Sequence, residues 1–309
     1  MTDSVERTKR RRIPRVATIA LGVVLYTCIL WLVGFENIRH ALGITPWPVL
    51  GAIALLECSG LAVRALKWRI ALTGSASPTR LFFVSRAAGI FTPGRLGEFA
   101  PVLIPKYRTP QLGAWLAMDR IFEAGATLLL GAFGLIMLGA GNHSGLVAAL
   151  AVVAAGVAIG MFFLFRPNLY ASAESCVIAY PRVAAVVRFL HAASTEAVAL
   201  RWRTPILFAL SLLATIIDLA QGLILFRGYG YAVSVPLFAV AQCAHALASV
   251  VPIASTATGV PYLASGAILN HYAAIPAGVL ATGLAIHFAL TQGVFWALFA
   301  IVMGRTRAT

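Results

Sequence analysis

Six apolar runs constrain this chain more than any other feature: Val16 to Gly34, Pro46 to Val63, Ala114 to Gly139, Leu146 to Phe165, Ile206 to Phe226 and Ile275 to Met303. Crossing a hydrocarbon core takes roughly 17 to 25 residues of helix, which each run supplies. Lipid offers backbone amides no partner, so a spanning segment must satisfy them internally, as a helix does. The sequence therefore predicts an all-α, polytopic membrane protein with six transmembrane helices. Composition agrees: 60% of the 309 residues are hydrophobic and 11% charged, against about 25% charged in soluble domains, and the mean hydropathy is +0.89.

Two further apolar stretches, Leu81 to Ile104 and Pro236 to Leu269, are interrupted by Pro and Gly. They read as re-entrant helical hairpins, or else as pairs of short full spans. Two spans, a hairpin and a span then occur twice, and because each unit crosses three times the second is inverted relative to the first. The expected layout is a basic tail (1–15), a first membrane repeat (16–140) with its hairpin at about 81–105, a second repeat (141–303) and a short tail (304–309). The second repeat carries a cytoplasmic segment at about 172–203 and a hairpin at about 236–270. Inverted repeats with broken helices that meet near the midplane are a common build of secondary transporters.

The basic residues give an orientation, because short cytoplasmic loops collect Lys and Arg. Arg7, Lys9, Arg10, Arg11, Arg12 and Arg15 precede the first run, so the N-terminus is expected inside. Counting crossings then assigns Arg64, Lys67, Arg69, Arg80, Arg86, Lys106 and Arg108, later Arg166, Arg182, Arg188, Arg201 and Arg203, and finally Arg305 and Arg307 to the cytoplasmic side. Both termini are thus expected in the cytoplasm, with each hairpin returning to the side it entered from. The formal charge of +14 reads as a rim facing anionic lipid head groups, not as a nucleic-acid surface. Within 172–203, Val183, Val186, Val187 and Leu190 share one helical face, off which Arg182 and Arg188 lie, as an interfacial helix requires.

Charge inside the apolar segments marks the candidate site. In Phe91-Thr92-Pro93-Gly94-Arg95-Leu96-Gly97-Glu98-Phe99 the Pro-Gly pair stops one helix, and a second is expected to begin near Gly97, its free amides and dipole forming an anion site. Arg95 adds a fork of donors suited to phosphate or carboxylate. Glu98 favours the dipole and pairs with Arg95, which also describes a self-neutralising cap with no ligand. On the following span Asp119, Arg120 and Glu123 cluster toward one side at helical spacing. They are expected to join Arg95 and Glu98, or else to form a charge-paired helix end. Glu57 and Arg64, seven apart, share a face and either join that group or pair locally. The second break, Val251 to Tyr262, carries hydroxyls instead of charges: Thr256 and Thr258, beside Gly259, offer neutral hydrogen bonds. Asp218 reads as a lone intramembrane carboxylate, and with Glu57 and Asp119 it is a candidate for proton or ion coupling. His245 and His287 read as core histidines, and Gln221, Gln242 and Gln292 as interhelical glue.

Cys28, Cys58, Cys176 and Cys243 are scattered, without C-x-x-C or metal-ligand spacing. They read as packing residues. No Walker A pattern and no D-x-D pair is present. No metal site, no other cofactor and no catalytic residue is therefore expected.

Together, Arg64 to Arg69 as R-x-x-K-W-R, Thr92 to Glu98, the pair Asp119-Arg120 with Glu123, and Val251-Pro252-Ile253 followed by Thr256 to Gly259 resemble the lysylphosphatidylglycerol synthase transmembrane, or flippase-like, family. The resemblance covers most of the chain from Arg64 onward. It implies a multi-pass protein of the cytoplasmic membrane, not itself an enzyme, that moves a phospholipid, a hopanoid-type lipid or a polyprenyl-phosphate-linked sugar across the bilayer beside enzymes of envelope lipid or glycan synthesis. By matching position it makes Gly94, Arg95, Gly97 and Glu98 the first hairpin motif, Arg120 and Glu123 the next span's motif, and Pro252 and Gly259 the second hairpin. The chain departs from the namesake synthases in ending at Thr309 without an aminoacyltransferase domain, so lysine transfer is not expected. Its Thr256-Ala257-Thr258 stands where relatives tend to be richer in glycine. A membrane transferase using a lipid-linked donor, or an accessory subunit of an envelope lipid pathway, is the alternative.

Overall fold

The computed structural model describes residues 43–75, 77–90, 92–139, 144–177, 180–250 and 260–304, together with Glu36 and Arg39. The expected first span and both tails lie outside the described residues. In chain order the helices are α1 (Trp47–Ala71), α2 (Pro78–Ile90), a 3₁₀ turn (Pro93–Phe99), α3 (Ala100–Leu103), α4 (Pro110–Met137), α5 (Ser144–Leu164), α6 (Pro167–Cys176), α7 (Pro181–Ala199), α8 (Thr204–Gly228), α9 (Val235–Val250), α10 (Val260–Ala273) and α11 (Ala277–Gly304). A second short 3₁₀ turn, Arg201–Arg203, leads into α8. No strand occurs among the described residues.

Proline sets many of these starts. Helices α1, α4, α6, α7 and α8 each carry one in their first two positions, where the missing amide costs no hydrogen bond. In α4 the Thr109 hydroxyl also accepts from the amide of Leu112 at 3.2 Å, completing the cap. Four helices, α1, α4, α8 with its preceding turn, and α11, are long and apolar enough to cross a membrane, and α5 with α6, bent by 70°, would make a fifth. These match four of the expected runs, with α5 near the fifth.

Burial runs opposite to that of a soluble protein. Leu55, Ile136 and Val152 are 69%, 68% and 71% exposed, whereas Lys67 is 0% exposed and Glu57 3%. Soluble folds almost never bury unpaired Lys or Glu; helices immersed in lipid turn Leu outward and polar groups inward. Helix α1 shows the pattern residue by residue. Its buried positions Leu50, Ile53, Glu57, Gly60, Leu61, Arg64, Lys67, Trp68 and Ala71 recur at helical spacing, so one stripe carries both apolar packing and three charges.

Helix α8 packs along α1, α9 along both α4 and α10, and α11 against α1. The 3₁₀ turn folds back on α2 and also touches α4 and α9. An aromatic cluster closes one side: Trp68 meets Phe82 and Trp115 edge-on, and Phe83 stacks on Phe295 at 5.6 Å. Helix α7 packs through Ala184, Ala193, Ser194 and Ala197 and leaves Val183, Val186 and Leu190 exposed. The expected apolar face is thus uncovered by protein. Cys243 is buried as expected for a packing residue, but Cys58 and Cys176 are exposed, because each sits on the outward side of its helix.

The α4–α9 contact depends on a missing side chain. A Cβ at Gly134 would lie 2.5 Å from the carbonyl oxygen of Pro236, and membrane helices approach this closely only through small residues. Gly134→Ala is expected to cost about 1–3 kcal/mol of overpacking, read as a lower thermal midpoint of the purified protein in detergent. Gly156→Ala, with nothing within 4 Å of the new methyl, is expected to leave the midpoint unchanged or raise it.

Candidate functional site

The buried stripe of α1, the 3₁₀ turn and the charged turn of α4 meet around one cavity of about 440 Å³. Its walls also include α2, α8, α9, α10 and α11, through Arg86, Asp218, His245, Tyr262 and His287 among others. That volume falls in the about 300–1,000 Å³ range of ordinary small-ligand pockets.

The break between α2 and α4 is built differently from the expectation. Pro93–Phe99 is a 3₁₀ turn and α3 is only four residues long, so no long helix begins near Gly97 and no helix dipole points at an anion there. Pro101 and Pro105 explain this: Pro105 holds Ile104 extended, at φ −86° and ψ 116°, as the residue before a proline prefers. Nor is the Gly97 amide free, since it donates to the Thr92 hydroxyl at 2.6 Å. Gly97 is needed because a Cβ there would run into the backbone carbonyl of Ala88. The turn is thereby held flat on α2, with the Ser85 hydroxyl donating to the carbonyl of Glu98 at 2.7 Å. Gly94 lies in the same turn.

Arg95 sits at φ 58°, a left-handed conformation that costs a non-glycine residue roughly 1–2 kcal/mol. The strained backbone aims its guanidinium at Glu98, which it meets at 2.5 Å, and toward Glu123 at 3.8 Å. Glu98 is therefore not a helix cap. It is 3% exposed and joins the turn to α4 through Arg120, at 2.6 Å. Arg120 in turn reaches Asp119 and Glu123, both at 3.0 Å.

Lys67, Trp68 and Asp218 extend this group beyond what the sequence suggested, and Arg64 joins it, one of the two readings the sequence left open. Lys67 is wholly buried, 2.6 Å from Asp119 and 3.6 Å from Glu123, and donates to the Ser211 hydroxyl at 3.0 Å. The indole of Trp68 donates to Asp119 at 3.3 Å. Arg64 pairs with Asp218 and approaches Glu123 at 3.8 Å. Asp218 is thus not the lone carboxylate expected, because α8 packs it against α1. Arg64 joins the shared network instead of pairing with Glu57, which accepts from Gln221 at 3.0 Å. The other end of Gln221 meets His287 Nε2, also at 3.0 Å.

Counting crossings assigned Arg64, Lys67 and Arg86 to a cytoplasmic rim; the structure puts Arg64 and Lys67 on the buried stripe of α1 and Arg86 on the cavity wall. The available signal was their helical register with Glu57, which marks a polar stripe inside an apolar helix. Gln221, Gln242, His245, His287 and Gln292 also line the cavity, so the reading of core histidines and glue missed their common surface. Thr256, Thr258 and Gly259, with Pro252, lie outside the described residues.

The arrangement can hold and exchange charge. Arg64, Lys67, Arg95 and Arg120 face Glu98, Asp119, Glu123 and Asp218, each within 4.0 Å of an opposite charge. Four positive and four negative groups cancel. A charge in the bilayer centre costs about 2.5–3.5 kcal/mol on insertion scales, and mutual pairing offsets that cost for all eight.

No curated protein and no solved structure matches the chain. A model of the family described as lysylphosphatidylglycerol synthase TM region matches residues 19–301, a span that contains every charged residue of the cavity. With its apolar spanning helices and a match over most of its length, the chain is a multi-span membrane protein that belongs to the lysylphosphatidylglycerol synthase TM-region family.

Proposed function

We propose that the protein is a flippase-like transporter that passes the head group of an anionic or lipid-linked lipid, such as a phospholipid, a hopanoid-type lipid or a polyprenyl-phosphate-linked sugar, across the cytoplasmic membrane. The observation that carries this reading is a cavity walled by the 3₁₀ turn on one side and by α9 and α10 on the other, with charged side chains in exchangeable ion pairs on its surface. Six crossings, both termini inside, and two re-entrant hairpins related by inversion form the proposed frame. The turn at 93–99 folding back on α2, and α9 packing along α10, support two hairpins that meet at the cavity.

In this reading Arg95 and Arg120 release Glu98 and take the anionic group, while Gly94 and Gly97 shape the turn, Glu123 holds the arginines in reserve, and Thr256, Thr258 and Gly259 supply neutral contacts. The tail stays in lipid. Of the three candidates for proton or ion coupling, Asp218 has a side chain 28% exposed, against 3% for Asp119, and Glu57 is buried. Water in the cavity therefore reaches Asp218 most readily. The exposed apolar face of α7 would lie in the cytoplasmic interface, beside the anionic head groups expected there. Enzymes of envelope lipid or glycan synthesis are the proposed partners.

Reconstitution in vesicles with fluorescent lipids tests this reading. Wild type is expected to move at least one head-group class between leaflets, with Arg95→Ala and Glu98→Gln at least about tenfold slower. If every class stays in its original leaflet with wild type, transport of those lipids is wrong, and turnover of a lipid-linked donor without movement would indicate the transferase instead. Arg95→Gly relieves the left-handed strain, so it is expected to keep a higher thermal midpoint than Arg95→Ala while losing transport equally. Lys67→Met is expected to act on folding, since it leaves Asp119 in the interior with only Arg120 and Trp68, at a cost below the about 3–5 kcal/mol of a wholly unpaired buried charge and visible as a lower midpoint.

A further inference from the structure

The eight-membered ion network leaves one arginine out. Arg86, on α2, lines the same cavity as Arg64, Arg95 and Arg120. Each of those three has a carboxylate within 4.0 Å; Arg86 has none among the described residues. It makes no hydrogen bond there either. Its one contact of note is the face of Phe295, 5.9 Å from the guanidinium carbon, which steadies a cation without neutralising it. Glu57, on the facing stripe of α1, is the other charge of the cavity wall outside the network. It is 3% exposed and already accepts from Gln221, so it presents little surface to a ligand.

The charges of Glu57 and Asp218 act on Arg86 from a distance, but with no carboxylate in contact its guanidinium keeps its donors for a ligand, and a phosphate bound there gains a charge-assisted fork of hydrogen bonds. Resting on the transport reading above, we propose that Arg86 is the first anchor for a single phosphodiester charge of the cargo, before that charge passes to Arg95 and Arg120 on the same cavity wall. The rest of the head group then meets a mixed wall, in which Gln242, His245, Tyr262 and Thr291 set neutral amide, imidazole and hydroxyl groups among apolar residues such as Leu128 and Leu247. Such a wall suits an uncharged, hydroxyl-bearing group. While the phosphate rests on Arg86 it does not suit an ammonium, because Glu98, Glu123 and Asp218 are then still engaged by arginines and Glu57 accepts from Gln221. The cavity thus selects a hydroxylated anionic head group over an amine-bearing one, and Arg86, not Arg95, sets that selectivity.

Native mass spectrometry of the purified full chain, titrated with dioleoyl phosphatidylglycerol, phosphatidylethanolamine or diacylglycerol, tests this. Wild type is expected to bind phosphatidylglycerol at least about tenfold more tightly than the other two. Arg86→Gln should bring that ratio close to one, Arg86→Lys should keep part of it, and Arg69→Gln, on the exposed side of α1, should keep all of it. The ratio within one variant is the readout because loss of fold lowers binding of all three lipids together. An unchanged ratio in Arg86→Gln, equal binding of phosphatidylethanolamine by wild type, or an equal loss in Arg69→Gln overturns the proposal. These outcomes are independent of leaflet exchange: transport that persists without Arg86-dependent selectivity sinks this inference alone, whereas selective binding without any transport sinks the transport reading.

Discussion

The ion pair between Lys67 and Asp119 is the contact on which the rest of the interior depends. Lys67 is fully buried, and Asp119 nearly so. Losing either charge leaves the other buried with only its weaker partner, Arg120 for Asp119 or Glu123 for Lys67, so this pair does most to set the register of α1 against α4. With the register set, Arg64 falls opposite Asp218, Arg120 turns toward Glu98, and the 93–99 turn is drawn onto α4. Trp68, the residue after Lys67, both donates to Asp119 and packs on Phe82 and Trp115. The charged site and the aromatic cluster therefore share one wall.

Neutrality gives this network its functional interest. Each arginine facing the cavity with a carboxylate partner can trade that partner for a ligand anion at little change in net charge, which a lone buried cation could not do. The 93–99 turn is where such an exchange demands least. Arg95 is held in a strained conformation on a short 3₁₀ segment, and its contact with Glu98 spans a single turn. Lys67 and Asp119, by contrast, are locked between two long helices. One network thus contains a fixed end and an exchangeable end.

Much of this was legible in the sequence where partners are close in the chain. Arg95 with Glu98, and Arg120 with Glu123, were readable as neighbours on a turn of helix, and the first interrupted apolar stretch announced the break at 93–99. Contacts between distant segments were not. Arg64 meets Asp218 across 154 positions, and no spacing rule reaches so far. Lys67 was misplaced for a related reason, since counting positive charges treats every Lys near a helix end as a surface charge. The 3₁₀ form of the turn was in principle readable: Pro101 and Pro105 leave only three residues between them, too few for a long helix to start near Gly97.

A structure of the protein in nanodiscs of anionic lipid, determined by electron cryo-microscopy, tests the central claim most directly. The account predicts head-group density in the cavity between the 93–99 turn and α9, with the guanidinium of Arg95 turned from Glu98 toward the phosphate. A cavity free of lipid density, with Arg95 still on Glu98 and every ordered head group at the membrane surfaces, would contradict it.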